Sequence, residues 1–102
     1  MSAILFVRVK SDLPFEELEL RVNKRRPEFK KVPGLIQKFY GLDKSTGDVC
    51  GIYFFEDQKA LAAFGNSELA KTIPSAYEVI EVRKEIYDVL FPLYSDRGPV
   101  KE

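Results

Sequence analysis

Arg8 is the one charged side chain in the apolar run Ala3 to Val9, AILFVRV. An arginine in such a strand keeps its charge and can pair with a carboxylate or an enolate, which makes Arg8 the first candidate for a catalytic cation. The competing reading is structural: a bond to a carboxylate on a neighbouring strand, or a place at a sheet edge. Tyr40, Tyr53 and Tyr87 each join an apolar ring to a hydroxyl that can orient a polar ligand, or else belong to the core with the hydroxyl satisfied. Cys50 is the only thiol, and the chain has no histidine to activate it, so it reads as a small buried apolar residue rather than a nucleophile. Arg83, Lys84 and Glu85 read first as a solvated patch.

Composition narrows the chemistry further. One cysteine excludes an internal disulfide, and with no histidine the usual ligands for zinc and haem are missing. Sixteen basic residues balance sixteen acidic ones, so no global field draws nucleic acid or an anionic membrane. No segment approaches the roughly 18 uninterrupted apolar residues of a membrane span, and no basic region followed by a long apolar run opens the chain. These features read as a soluble cytoplasmic protein of one domain, residues 1–94, with residues 95–102 as a flexible tail.

The elements that would position these side chains follow from local chemistry. Ala3 to Val9 suits a central strand, and Ser11 and Asp12 offer N-cap chemistry ahead of Pro14, where a helix starts. Phe15, Leu18, Val22 and Phe29 recur near helical spacing, with Glu16, Glu17 and Glu19 early and Lys24, Arg25 and Arg26 late, as the helix dipole favours. Pro27 is expected to kink or end the first segment of that helix. Pro33-Gly34 turns the chain into a strand over Leu35 to Leu42, Asp43 to Asp48 forms a hairpin loop with Gly47 free to adopt positive φ, and Val49 to Glu56 returns antiparallel. Asp57 caps a second helix carrying Leu61 and Phe64. Gly65-Asn66-Ser67 interrupts it, Ser67 caps a short continuation, and Pro74 stops it. The spacing predicts a last strand over Tyr77 to Leu90 with a bulge near Arg83 to Glu85. The order is βαββαβ.

The second hairpin strand is apolar on both faces: Gly51, Tyr53 and Phe55 alternate with Cys50, Ile52 and Phe54. Two helical segments cover one face of a sheet this size, so the other face needs a second subunit, a ligand or a nucleic acid.

Four landmarks together resemble a known family. The Pro14-Phe15 helix start, the Pro33-Gly34 turn, the strand-to-helix junction Gly51-Ile52-Tyr53-Phe54-Phe55-Glu56-Asp57 and the ending Ile86-Tyr87-Asp88-Val89 with Pro92-Leu93 are similar to small monooxygenase-type proteins of the dimeric α/β-barrel superfamily, which includes the antibiotic-biosynthesis monooxygenases. The resemblance covers nearly the whole chain. It implies an α+β ferredoxin-like fold with a four-stranded antiparallel sheet, paired through its sheet with a second subunit as a homodimer. It also implies a pocket between sheet and helices, in which a small aromatic or enolic substrate is oxygenated without cofactor, metal or flavin. On that reading Arg8 is the catalytic residue, and Tyr40, Tyr53, Phe55, Asn66, Ser67 and Tyr87 bind the substrate. Capping at the helix break competes for Asn66 and Ser67. The chain departs from relatives that use tryptophan or histidine in the pocket, having neither. A base here would then be a carboxylate, a tyrosinate or the substrate's own acidity.

Two other readings share the fold. A non-catalytic ligand-binding or stress-associated dimer fits the same residues. An RNA-recognition module has the same element order, but anchoring Phe55 on the helix side leaves Cys50, Ile52 and Phe54 on the open face with one stacking ring among them. The expected partners are therefore a second copy and a small molecule, with no nucleic acid and no membrane.

Overall fold

The computed structural model describes residues 1–98. Strand β1 (Ala3–Ser11) leads to helix α1 (Phe15–Phe29), then to the hairpin of β2 (Leu35–Leu42) and β3 (Val49–Phe55). Helix α2 (Gln58–Gly65) and two single turns, α3 (Glu68–Lys71) and α4 (Ile73–Ala76), return the chain to β4 (Val79–Asp88). The four strands form one antiparallel sheet in the order β2-β3-β1-β4. This is the ferredoxin-like arrangement, and the helices lie on one face of it.

Register decides which side chains meet the helices. β1 pairs Ala3 with Phe55, Leu5 with Tyr53, Val7 with Gly51 and Val9 with Val49. Because side chains alternate along a strand, all of these share the helix face. Phe55 is fully enclosed there, and Phe29, Tyr53, Phe55 and Phe64 form an aromatic cluster with centroids 5.1–6.3 Å apart. Each such ring withdraws enough apolar surface to contribute roughly 2–3 kcal/mol. Ile4, Phe6, Ile52 and Phe54 take the helix-bare face, where they remain half-exposed, and Phe39 meets Phe54 edge-on at 6.1 Å.

Several local expectations need correction. Pro27 neither ends nor interrupts α1, which runs on to the buried Phe29; so near the C-terminus the lost hydrogen bond is cheap beside the burial of that ring. Pro14 itself occupies the N-cap position without a side-chain bond, while Ser11 Oγ accepts from the Leu13 amide. Pro74 does not stop the helical stretch but sits in the first turn of α4, where a missing N–H costs nothing. β4 is shorter than Tyr77 to Leu90, and its irregularity lies opposite Lys10 and Ser11 rather than near Arg83 to Glu85. Asp57 and Ser67 cap α2 and α3 as their types predict, accepting from the amides of Ala60 at 2.8 Å and Ala70 at 3.2 Å. Gly47 has φ +81°. Val89 to Gly98 follow β4 without regular structure, and the remainder of the expected tail, residues 99–102, lies outside the described residues.

Candidate active site

The hairpin brings the site together. Its loop joins Leu42 to Val49 symmetrically, so Tyr40 faces Gly51 and Lys38 faces Tyr53. Lys38, Tyr40 and Leu42 therefore share the helix side of β2, and the end of α1 adds Phe29 from above. Between α1 and this part of the sheet lies a cavity of about 520 Å³. Val7, Val9, Leu18, Val22 and Ile73 supply apolar walls, and Lys38, Tyr40, Tyr53 and Tyr77 supply the polar groups. Glu19, Asn23 and Arg26, all on α1, line its outer part.

Lys38 is the unusual member. Its Nζ lies 3.7 Å from the ring centroid of Phe29, 4.1 Å from that of Tyr40 and 4.3 Å from that of Tyr53. Among the described residues it makes no ion pair with a carboxylate. Burial, reinforced by the Arg25 charge, pushes its amine down to about 7. The ring faces act in the other direction, since their quadrupoles hold an ammonium. The group is thus poised between its two protonation states where most lysines are fully charged. Gly51 makes room for it: a Cβ there would lie 3.1 Å from Lys38 Cε and 3.0 Å from Tyr53 Cε1.

The tyrosines are donors. Burial pushes Tyr40 up to about 12 and raises Tyr53 and Tyr77 as well, so all three stay phenolic at neutral pH. Tyr77 is 6% exposed, and its buried hydroxyl has no hydrogen-bond partner among the described residues. Arg25 lies over the Tyr77 ring at 5.3 Å, yet its well-aligned hydrogen bonds go to the Leu69 carbonyl and Thr72 Oγ1, at 2.9 and 2.8 Å. An orphaned buried hydroxyl costs about 1–3 kcal/mol, an amount a ligand oxygen could recover.

The sequence-derived candidates divide accordingly. Tyr40 and Tyr53 line the cavity, while Phe55 packs in the core beneath the helices. Arg8 does not reach it. The strand alternation puts Arg8 on the helix-bare face, opposite Cys50, where Nε donates to Asp48 Oδ2 at 3.0 Å and Nη2 to Asp43 Oδ2 at 2.9 Å. Arg8 thereby ties the β2–β3 loop to β1. Asn66 and Ser67 stand at the C-terminus of α2 and the N-cap of α3, outside the cavity lining. Tyr87 lies on the helix-bare face of edge strand β4, exposed and donating to Glu85 Oε1. Burial opposes a tyrosinate at neutral pH, and the titratable group that sequence reasoning passes over is Lys38. Counting outward from the loop, from Leu42 and Val49, places it opposite Tyr53.

Among the described residues no cluster of histidine, cysteine or carboxylate side chains is arranged to hold a metal ion, and no helix is long and apolar enough to cross a membrane.

Comparison with solved structures shows the same fold at low identity. SnoaB, described as a cofactor-independent oxygenase from Streptomyces nogalater, superposes with a TM-score of 0.75 at 12% identity, covering 90% of this chain and 96% of that one. A "putative antibiotic biosynthesis monooxygenase" from Nitrosomonas europaea gives 0.73 at 14%, covering 89% and 92%. A conserved protein from Methanosarcina mazei gives 0.71 at 17%, covering 85% and 91%. No curated protein matches by sequence. The sequence family described as "Putative mono-oxygenase ydhR" matches residues 4–96, nearly the whole of the fold and all of the cavity lining, and the chain belongs to that family.

Proposed function

We propose that this protein is a cofactor-independent monooxygenase acting on a small aromatic or enolic compound with a weakly acidic proton, bound beneath α1. The observation that carries the reading is the half-buried Lys38 amine, enclosed by three ring faces and, among the described residues, without a carboxylate partner, in a largely apolar cavity. A substrate proton passes to the neutral amine, and the resulting ammonium is held by three ring faces beside the substrate anion. Tyrosine hydroxyls donate to the anion's oxygen in place of water. The anion then reduces dioxygen directly. An activated methylene group and one dioxygen give a ketone carbonyl and one water: both C–H bonds break, a C=O bond forms, and the substrate carbon supplies all four electrons. The chain's membership of its family and the fold it shares with a cofactor-independent oxygenase support this assignment.

The test is oxygen uptake with anthrone-like and polyhydroxylated aromatic compounds, using isotopically heavy dioxygen to trace one labelled oxygen into product and one into water. Lys38→Met is expected to lower turnover by about 100-fold or more. Arg8→Ala is expected to leave it unchanged, because Arg8 lies on the other face of the sheet. Tight binding of such compounds with no oxygen uptake would refute the oxygenase and favour a ligand-binding protein.

We also infer that two copies pair through the helix-bare face. Ile4, Phe6, Ile52 and Phe54 present apolar surface there, and Leu90, Phe91, Leu93 and Tyr94 extend beyond β4 largely exposed. A stable pair buries at least about 1,000 Å². A monomer in sedimentation equilibrium at micromolar concentration would refute the pairing.

A further inference from the structure

We propose that Lys38 captures the carbonyl group of a small, apolar aldehyde or ketone as an imine in the cavity beneath α1. The proposal rests on the cavity and the ring-enclosed Lys38 amine invoked for the proposed function, and it does not need dioxygen.

Three features of the site favour this chemistry. An amine attacks a carbonyl only when neutral, and lysines become neutral near pH 7 when an apolar pocket strips their water or a second cation stands nearby. Lys38 has both: three aromatic faces around Nζ, and Arg25 on the facing helix, whose charge acts against the ammonium. Nor is there a carboxylate to hold the proton, since no ion pair joins Lys38 to an acidic residue among the described residues. Finally, Lys38 lines two recesses, the 520 Å³ cavity, which has room for a small organic body, and a second hollow of about 260 Å³ shared with Arg26 and Tyr40.

The step balances without an added reagent. The Nζ lone pair forms the N–C bond as the carbonyl π pair moves to oxygen, and a proton from nitrogen passes to that oxygen to give a carbinolamine. Loss of water then forms the C=N bond, so that one carbonyl group and the primary amine of Lys38 become one imine and one water. Tyr40, Tyr53 and Tyr77 remain phenolic and can donate to the departing oxygen. A protonated imine keeps a positive charge where the ammonium had one, within reach of the same ring faces.

The test uses the full chain, anaerobically at pH 7, with benzaldehyde as probe and sodium cyanoborohydride to reduce any imine to a benzylamine. Peptide mapping then measures the rate of labelling at each of the ten lysines. At this pH roughly half of the Lys38 amine is neutral, against roughly one part in 2,500 of an ordinary lysine. Lower intrinsic nucleophilicity offsets part of that advantage, leaving an expected rate at least about tenfold above the mean of the other nine. Benzyl alcohol, which fits the cavity but has no carbonyl, is expected to slow labelling at Lys38 alone. Lys38 labelling no faster than its neighbours, or fast labelling indifferent to benzyl alcohol, would overturn the proposal. So would a fast phase that persists in Lys38→Arg, whose far-UV spectrum and urea midpoint report that it is folded. Oxygen uptake by phenols without labelling removes the imine alone, whereas labelling without oxygen uptake supports the imine and removes the oxygenase.

Discussion

Replacing Lys38 by methionine is expected to stabilise this protein below pH 7 and to have little effect near pH 10.5. Methionine keeps the length and apolar stem of the side chain while discarding the titratable group, so the comparison isolates the cost of housing the charge. In the unfolded chain the amine holds its proton up to about 10.5, and in the folded chain only up to about 7. Between those values the unfolded state binds more protons, so wild-type stability rises as pH rises through the window and levels off above it. Below pH 7 both states are protonated and the full cost is present. Each tenfold change in proton affinity is worth about 1.4 kcal/mol, which puts the gross cost on the order of 4–5 kcal/mol. Whatever the ring faces and residual solvent return to the ammonium is already contained in the folded-state proton affinity, so a gain on the order of 4–5 kcal/mol at pH 6 is expected for Lys38→Met.

Urea denaturation of both proteins at pH 6, 8.5 and 10.5 measures it. The tyrosines around Lys38 do not confuse the reading, since burial pushes Tyr40 up to about 12 and raises Tyr53 as well. Lysines elsewhere are common to both proteins and cancel in the difference. A stability difference that is flat with pH, or a Lys38→Met protein less stable at pH 6, would show that Lys38 is an ordinary charged lysine and would remove the base of the proposed chemistry.

Gly51→Val is expected to cost about 1–3 kcal/mol and to slow benzaldehyde labelling at Lys38, since the new side chain enters the space shared by Lys38 Cε and the Tyr53 ring; unchanged labelling would mean the amine is not held where the rings place it. Gly34→Ala combines φ +78° with a Cβ only 2.5 Å from Ala60 Cβ, so thermal unfolding is expected to show a loss of roughly 1–3 kcal/mol. Asp57→Ala removes the side-chain cap of α2 and is expected to cost about 1 kcal/mol in the same assay. Arg8→Ala is expected to speed amide exchange in the Asp43 to Asp48 loop while leaving Lys38 labelling unchanged. Bonds from Ser45 and then from the Arg8 guanidinium hold the Asp43 carboxyl below the usual range, so its contribution is present above the ordinary carboxylate pKa and lost as pH falls. The destabilisation by Arg8→Ala is accordingly expected to shrink in acid.

Much of the scaffold is legible in the chain because several signals agree. Asp57 and Ser67 are good caps wherever they stand, Gly47 supplies positive φ in the hairpin loop, and Pro33-Gly34 marks a turn whose glycine does adopt φ +78°. Phe55 lies on the helix side as expected, since the large side chain beside the Asp57 cap belongs under the helix that cap begins. The prolines mislead for one shared reason. Pro27 and Pro74 read as breakers, but each lies within a turn of a helix end, where the hydrogen bond it forfeits is peripheral.

The site is less legible because both faces of the central strands are apolar. In Ala3 to Val9 the set Ala3, Leu5, Val7 and Val9 is no more hydrophobic than Ile4 and Phe6, so alternation groups Arg8 with Ile4 and Phe6 but does not say which set faces the helices. Pairing decides it: Leu5 opposite Tyr53 sends Arg8 to the outer face with Asp43 and Asp48, and no property of the arginine itself contains that information. Lys38 is the mirror case. In the run LIQKFYGL it stands among residues of an edge strand, where lysine commonly serves as a solvated guard against edge pairing. Its distinction comes from three residues far apart in sequence, Phe29, Tyr40 and Tyr53, and from Gly51, whose missing side chain leaves space for its stem. A lysine becomes a reagent here through what surrounds its amine, and that surrounding exists only once the hairpin register and the end of α1 are both in place.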